Sequence, residues 1–370
     1  MTITNETATN EADKSSKRGQ VAMVFDLNKC MGCQTCSIAC KVLWTQEQGE
    51  EHQWWMTCNT QPGKGTPKDW EQMGGGIIDG QPAKGHQPTR AEFGGGWDFN
   101  YEEVFYGGKG RSTHLHPIDK GDKTTEWGMN WDEDQGAGEY PNSYYFYLPR
   151  LCNHCTNPVC VTACPSGAMY KRHEDGVVLR DESKCQGARF CMEACPYKKI
   201  YFNYVRDVAQ HCIMCFPRLE ENVAPACARQ CPGRLVFVGD PEDKSGPIYK
   251  LVNEWKVALP LHPEFGTEPN IFYIPPMSPY SLKEDMSIDY ETPRIPPEYL
   301  EYLFGPQVHS ALGKIQSELK GVREGNSSEI LDTLIVYNWL DLFGKYTVDP
   351  GTLDRSPEKV AVTLGATRKN

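Results

Sequence analysis

Fifteen of the sixteen cysteines in this 370-residue chain fall into four groups whose spacing is that of metal ligands. The groups are Cys30, Cys33, Cys36 and Cys40; Cys152, Cys155, Cys160 and Cys164; Cys185, Cys191 and Cys195; and Cys212, Cys215, Cys227 and Cys231. Cys58 stands alone. Two residues between thiolates let a tight loop aim successive sulfurs at corners of one iron–sulfur cubane. The last cysteine of a run, three residues further on, has turned into a helix and ligates the other cluster of a pair. Cys164, Cys195 and Cys231 each precede the proline that goes with this position, whereas Cys40 precedes Lys41. Zinc also uses C-x2-C pairs, but a tetrahedral site has no use for a third cysteine two residues on and a fourth three beyond. Iron–sulfur chemistry is the expectation.

The crossing rule assigns the ligands. Groups two and three are contiguous and should form one two-cluster unit. Cys152, Cys155, Cys160 and Cys195 hold one four-iron cluster, and Cys164, Cys185 and Cys191 hold the other centre. Groups one and four should pair across the chain, giving Cys30, Cys33, Cys36 and Cys231 for one four-iron cluster and Cys40, Cys212, Cys215 and Cys227 for another. The third group, KCQGARFCMEACPYKK (184–199), has Ala188 where a second thiolate would stand. Three thiolates suit a [3Fe-4S] cluster. A four-iron cluster with water or another side chain on its fourth iron stays open.

The elements that must position these sulfurs are legible in part. VAMVFDL (21–27) reads as a strand feeding the first group, and YYFYLPR (144–150), IYFNYV (200–205) and RLVFVGD (234–240) as further strands. Asp175-Gly176 marks a hairpin turn. Residues 247–259 read as a helix, and 327–344 as an amphipathic helix ended by Gly344. The expected fold is α+β, with two ferredoxin-like two-cluster modules, a loop-rich insertion and a C-terminal helical tail. In chain order this gives a polar arm (1–20), disordered or lying along a partner, and the first half of a discontinuous module (21–44). The insertion follows (45–143), then the contiguous module (144–205), the second half of the discontinuous one (206–242) and a subunit-contact region (243–370). The first twenty residues have no apolar run of the secretory kind, and LIVYNWL (334–340) is too short to cross a membrane. A soluble chain without an export signal of its own is expected, a setting in which disulfides are rare. The net charge of −11 argues against nucleic acid as a partner. No glycine-rich dinucleotide fingerprint follows a strand and no nucleophile–base pattern stands out, so no catalytic site is expected.

With the four groups assembled, the chain resembles the iron–sulfur (beta) subunits of the dimethyl sulfoxide reductase family of molybdenum enzymes. The branch is that of nitrate reductase, nitrite oxidoreductase, the perchlorate, chlorate and selenate reductases, and the dimethyl sulfide and ethylbenzene dehydrogenases. The likeness covers roughly residues 20 to 285 and is carried by VFDLNKCMGCQTCSIACK (24–41), PKDWEQMGGG (67–76), NWDEDQGAGEYPNSYYFYLPRLCNHC (130–155), CPYKKIYFN (195–203) and WKVALPLHPEFGTEPNIFYIPPMSP (255–279). The resemblance implies that the third group's centre is the three-iron type. Several members have an aromatic residue at the missing position, and Ala188 departs from them. It also implies a relay of single electrons through three [4Fe-4S] clusters and one [3Fe-4S] cluster. The relay would join a catalytic (alpha) subunit carrying a molybdenum cofactor to a haem b (gamma) subunit or other cytochrome, in anaerobic respiration. Periplasmic residence by co-export with the catalytic subunit is implied, with the cytoplasm as the alternative. A free-standing polyferredoxin shuttle and a zinc-stapled scaffold are the competing functions.

Other residues near the ligand loops carry weaker expectations. His154 and His211 flank cluster cysteines and should support ligands or lie at the surface rather than ligate. Lys29, Lys184, Arg189, Lys198 and Lys199 would raise cluster potentials if close, and are otherwise ordinary solvated charge. Cys58 reads as a buried thiol. Trp54, Trp55, Trp70, Trp97, Trp127 and Trp131 either dock a catalytic subunit or pack within the insertion.

Overall fold

A computed structural model describes residues 19–50, 52–63, 136–203 and 205–352, together with four two-residue strands between positions 77 and 118. The expected arm at 1–18, most of the insertion with Trp70, Trp97, Trp127 and Trp131, and residues 353–370 lie outside the described residues. Strand β1 (Ala22–Asp26) leads through a 3-10 turn into α1 (Thr35–Trp44), and β2 (Thr57–Gln61) pairs antiparallel with β3 (Phe146–Arg150). Next come α2 (Val159–Thr162), the hairpin β4 (Met169–Lys171) with β5 (Val178–Arg180), and α3 (Phe190–Ala194). A second hairpin, β6 (Ile200–Asn203) with β7 (Val208–His211), precedes α4 (Phe216–Glu220), α5 (Ala226–Arg229) and β8 (Val236–Gly239). The chain continues through β9 (Leu259–Pro260) and β10 (Ile271–Ile274) to α6 (Pro297–Phe304), α7 (Val308–Arg323) and α8 (Glu329–Ile335).

β1 is buried at all five positions, as a strand must be when neighbours flank it and both faces are covered. It pairs antiparallel with β8 (Val24 opposite Phe237) and parallel with β10 (Val24 opposite Phe272), and β9 completes the four-stranded sheet. Val24, Phe25, Val236, Phe237 and Ile271 fill its faces, each contributing about 1.5–3 kcal/mol by leaving water. The pairing of β1 with β8 joins segments more than two hundred residues apart, and α1 packs on α5 from the same two segments. The result is a mixed α/β fold of small sheets and short helices.

The strands expected at 21–27, 144–150, 200–205 and 234–240 are present. The hairpin at Asp175-Gly176 closes with Arg172 N–H donating to Val177 O at 2.8 Å and Gly176 at φ +68°. Two helices differ from expectation. The helix expected over 247–259 stops at Glu254, its last five residues forming a π-helical turn. Val257 and Ala258 both donate to Leu251 O, and the turn carries buried Val257, Ala258 and Leu259 into the sheet rather than round a helix. The helix expected over 327–344 breaks at Val336, which adopts φ +57°. Lys29 Nζ takes the carbonyl of Leu334 at 2.7 Å. The break lets Val336, Leu342 and Phe343 all be buried, which one helical face would not allow.

Candidate metal centres

Each cysteine loop is a sharp exit from a strand, a left-handed residue or two, and a helix start. Asp26 accepts both N–H groups of Asn28 (3.1 and 3.0 Å), and Asn28 Oδ1 accepts Met277 N–H at 2.7 Å, which fixes the exit of β1. Gly32 then turns at φ +65°, where a Cβ would lie 2.5 Å from the Tyr147 ring, so only glycine fits. Gln34, at φ 60°, anchors the loop by donating to Cys58 O at 2.6 Å. In α1, Cys36 and Cys40 share a face one turn apart, displaced by roughly 6 Å along the axis. That separation puts Cys36 and Cys40 in the walls of two different cavities. Arg189 (φ 63°) and Cys215 (φ 51°) make the same left-handed entry into α3 and α4.

Three cavities are walled by sulfur. Cys30, Cys33, Cys36 and Cys231 line the first, and Cys58 lines it too. Cys40, Cys212, Cys215 and Cys227 line the second, with Trp44, Trp55, Met56, Leu151 and Met214 as its apolar walls. Cys164, Cys185 and Cys191 line the third, with Ala188 between Gln186 and Arg189. Cys152, Cys155 and Cys160 are brought together with Cys195. Burial pushes the Cys155 thiol up to about 12, and Cys195 is the largest charge adding to that rise. Cys160 is raised by burial and then by Cys195 and Cys155, and Cys152 by burial and then by Cys160.

The donor set, thiols of separate groups lining shared cavities, fits clusters. Among the described residues no three His, Cys, Asp or Glu side chains converge on a point that one metal ion could occupy. The thiols ring volumes instead, and all sixteen cysteines are unbridged. Burial and mutual repulsion also push Cys36, Cys191 and Cys212 up to about 12. Such thiols become thiolates when a metal displaces their protons, as cluster ligands do. His154 Nδ1 accepts Val178 N–H at 3.1 Å, so in the neutral ring the proton sits on Nε2, a buried donor without an acceptor among the described residues. Burial holds His154 well below the usual histidine range and His211 at about 4, so both rings are neutral. Neither is at the surface, and neither lines the three cavities.

Sequence reading missed three features. Cys58 is buried as expected, but its Sγ lies 3.7 Å from Cys30 Sγ in the wall of the first cavity. The Trp44 indole N–H donates to Cys215 Sγ at 3.0 Å. Both contacts join residues distant in sequence, and no local pattern announces them. The third is the sorting of the cations. Lys184 is exposed and pairs with Asp181, Arg189 covers the Phe202 ring at 4.1 Å, and Lys29 sits 4.0 Å from Asp26. Lys198 and Lys199 are buried. Trp54 and Trp55 are also buried, with Trp54 O accepting from Lys199 and Trp55 Nε1 donating to Gln53, so these two pack within the protein.

Residues 143–241 match the family model described as a 4Fe-4S dicluster domain. The chain is 52% identical over 329 residues to the selenate reductase subunit beta of Thauera selenatis, covering 88% of this chain and 98% of that protein. It is 51% identical over 330 residues to the chlorate reductase subunit beta of Ideonella dechloratans, with the same coverage. It is 34% identical over 392 residues to the respiratory nitrate reductase 1 beta chain of Escherichia coli strain K12, covering 77% and 76%.

Proposed function

The chain belongs to the beta subunits of the selenate, chlorate, nitrate and related molybdenum reductases, and from that premise we propose that its fifteen grouped cysteines hold three [4Fe-4S] clusters and one [3Fe-4S] cluster as a single-electron relay. It is a non-catalytic electron-transfer subunit whose partner is a molybdenum catalytic subunit. The beta-subunit relatives disfavour a free-standing polyferredoxin. The ligand sets proposed are Cys30, Cys33, Cys36 and Cys231; Cys40, Cys212, Cys215 and Cys227; Cys152, Cys155, Cys160 and Cys195; and Cys164, Cys185 and Cys191 for the three-iron centre.

The observation that carries this reading is the sharing of cavities across the chain, with Cys231 beside Cys30, Cys33 and Cys36 and with Cys40 beside Cys212, Cys215 and Cys227. The finer architecture we infer is two ferredoxin-like modules, 144–205 contiguous and 21–44 with 206–242 discontinuous. The β1–β8 pairing and the α1–α5 packing support it. Bound in such cages, iron–sulfur clusters supply one-electron redox chemistry at potentials set by charge, hydrogen bonds and exposure. The protein's part is to hold the thiolates and to keep water out. Around the second cavity it does so with Trp44, Trp55, Met56, Leu151 and Met214. Met31, which lines the first cavity, and Val42 and Leu43 of α1 leave large apolar side chains in solvent, a surface suited to the catalytic subunit. Among the described residues no helix is long and apolar enough to cross a membrane. The proposed electron partner on the other side is a haem b subunit or other cytochrome, and the proposed compartment is the periplasm, reached by export alongside the catalytic subunit. Resemblance supports both, and fractionation of intact cells tests the second.

The experiment is to purify the protein from its own cells and measure iron and companions together. About fifteen irons per chain and a co-purifying molybdenum polypeptide are expected. A chain that elutes alone with its full iron content would instead be a shuttle. A second expectation concerns Trp44. Its N–H stabilises negative charge on Cys215 Sγ, so Trp44→Phe should lower the potential of the second cavity's cluster alone. The reduced-to-oxidised ratio should fall up to about tenfold, roughly 59 mV for one electron, in an EPR-monitored redox titration.

A further inference from the structure

We propose that Lys199 is a buried counter-ion shared by two of the four centres, the one held by Cys40, Cys212, Cys215 and Cys227 and the one that includes Cys152. The inference rests on the reading of those cysteines as cluster ligands. Lys199 is 1% exposed, immediately before β6, and its ammonium is fully hydrogen-bonded. Nζ donates to Trp54 O (3.1 Å), Thr57 Oγ1 (3.2 Å) and Tyr201 OH (3.1 Å), which uses all three of its protons on neutral acceptors. No carboxylate pairs with it among the described residues. An ammonium taken out of water in this way is retained as a cation only if an anion is near.

Its contacts place Lys199 between the two centres. Trp55 and Met56, which lie between Trp54 and Thr57, wall the cavity of Cys40 and Cys212, and Thr57 is paired with Arg150, two residues before Cys152. Burial and the neighbouring Arg150 guanidinium press its pKa well below the usual lysine range, while Cys40, Cys212 and Cys152 oppose them. A cubane with four thiolates is net anionic and gains one more negative charge on reduction. A buried cation beside it therefore favours the reduced form, and in a low-dielectric interior the effect reaches two neighbours at once. The other cations near the loops are placed differently. Lys184 is paired with Asp181 in solvent, Lys29 lies beside Asp26, and Lys198 donates to Glu193 O. Lys199 is a positioning residue in this sense: it touches no ligand sulfur by hydrogen bond, but sets the field in which two centres take up an electron.

The test is an EPR-monitored redox titration of the cluster-loaded, full-length protein with its companion subunit, comparing Lys199→Met with the unmodified protein. Removal of the charge should lower the reduced-to-oxidised ratio of the two named centres at least tenfold at fixed potential, which is 59 mV for one electron. The centre of Cys30, Cys33, Cys36 and Cys231 and the three-iron centre should stay where they are. Unchanged potentials at all four centres with full iron content would overturn the proposal, as would an equal shift at all four. If Lys199→Met loses iron, Lys199→Gln, which keeps polar contacts, and Lys199→Arg, which keeps the charge, decide the matter. Iron retained by the Arg variant but lost from both neutral ones supports the counter-ion role, and loss from all three makes Lys199 a packing residue. A low iron count in the unmodified protein would sink the ligand assignment instead, so the two failures are distinct.

Discussion

Replacing Ala188 with cysteine should convert the proposed three-iron centre to a four-iron one. Ala188 lies in the wall of the cavity formed by Cys164, Cys185 and Cys191 and is itself exposed, so a thiol there meets space rather than packed core. The added thiolate would complete the C-x2-C-x2-C spacing at Cys185, position 188 and Cys191. Iron content should rise by about one per chain, and the paramagnetic signal of the oxidised three-iron form should disappear. The potential of that centre should fall, because a further thiolate adds negative charge. An unchanged oxidised spectrum with the thiol present would show that position 188 does not face the centre.

Replacing Cys195 with alanine should damage a centre that the rest of its own group does not serve. Cys185 and Cys191 are its sequence neighbours and line the cavity with Ala188, but Cys195 is absent from that lining and is the largest charge acting on Cys155 and on Cys160. Cys195→Ala should therefore cost between about one and about four irons from the centre of Cys152, Cys155 and Cys160, and leave the oxidised three-iron signal in place. Loss of the three-iron signal with the four-iron centres intact would reverse the assignment. The helix geometry makes the difference. Cys191 lies in the first turn of α3 and Cys195 caps its end, so the two sulfurs leave the helix toward different neighbours.

Cysteine spacing was the part of the site most open to reading from sequence, because its rule is local: two residues between thiolates make a loop, three make a helical turn. Strands β1, β3, β6 and β8 were legible for the same reason, each being a short apolar run beside a cysteine group. What escaped was set by distant residues. The π-helical turn at Lys250–Glu254 and the break at Val336 carry apolar side chains into a core assembled from other segments, and Lys29 meets the broken helix from the far end of the sequence. Helical periodicity over 327–344 was real but shorter than it looked. Lys184, Lys198 and Lys199 are indistinguishable as letters, yet one is solvated beside Asp181 while Lys199 is buried among Trp54, Thr57 and Tyr201. Cys58 and Trp44 belong to the same class, since their neighbours Cys30 and Cys215 are reached only through the fold.

An iron anomalous-scattering map of crystals of the cluster-loaded protein reads the sulfur-to-iron connections directly. The account predicts four separate iron centres, with Cys231 joined to that of Cys30, Cys33 and Cys36, and Cys195 joined to that of Cys152, Cys155 and Cys160. Cys164 should sit with Cys185 and Cys191. A map placing Cys164 and Cys195 on one centre, or one metal ion in place of a cluster, would contradict it.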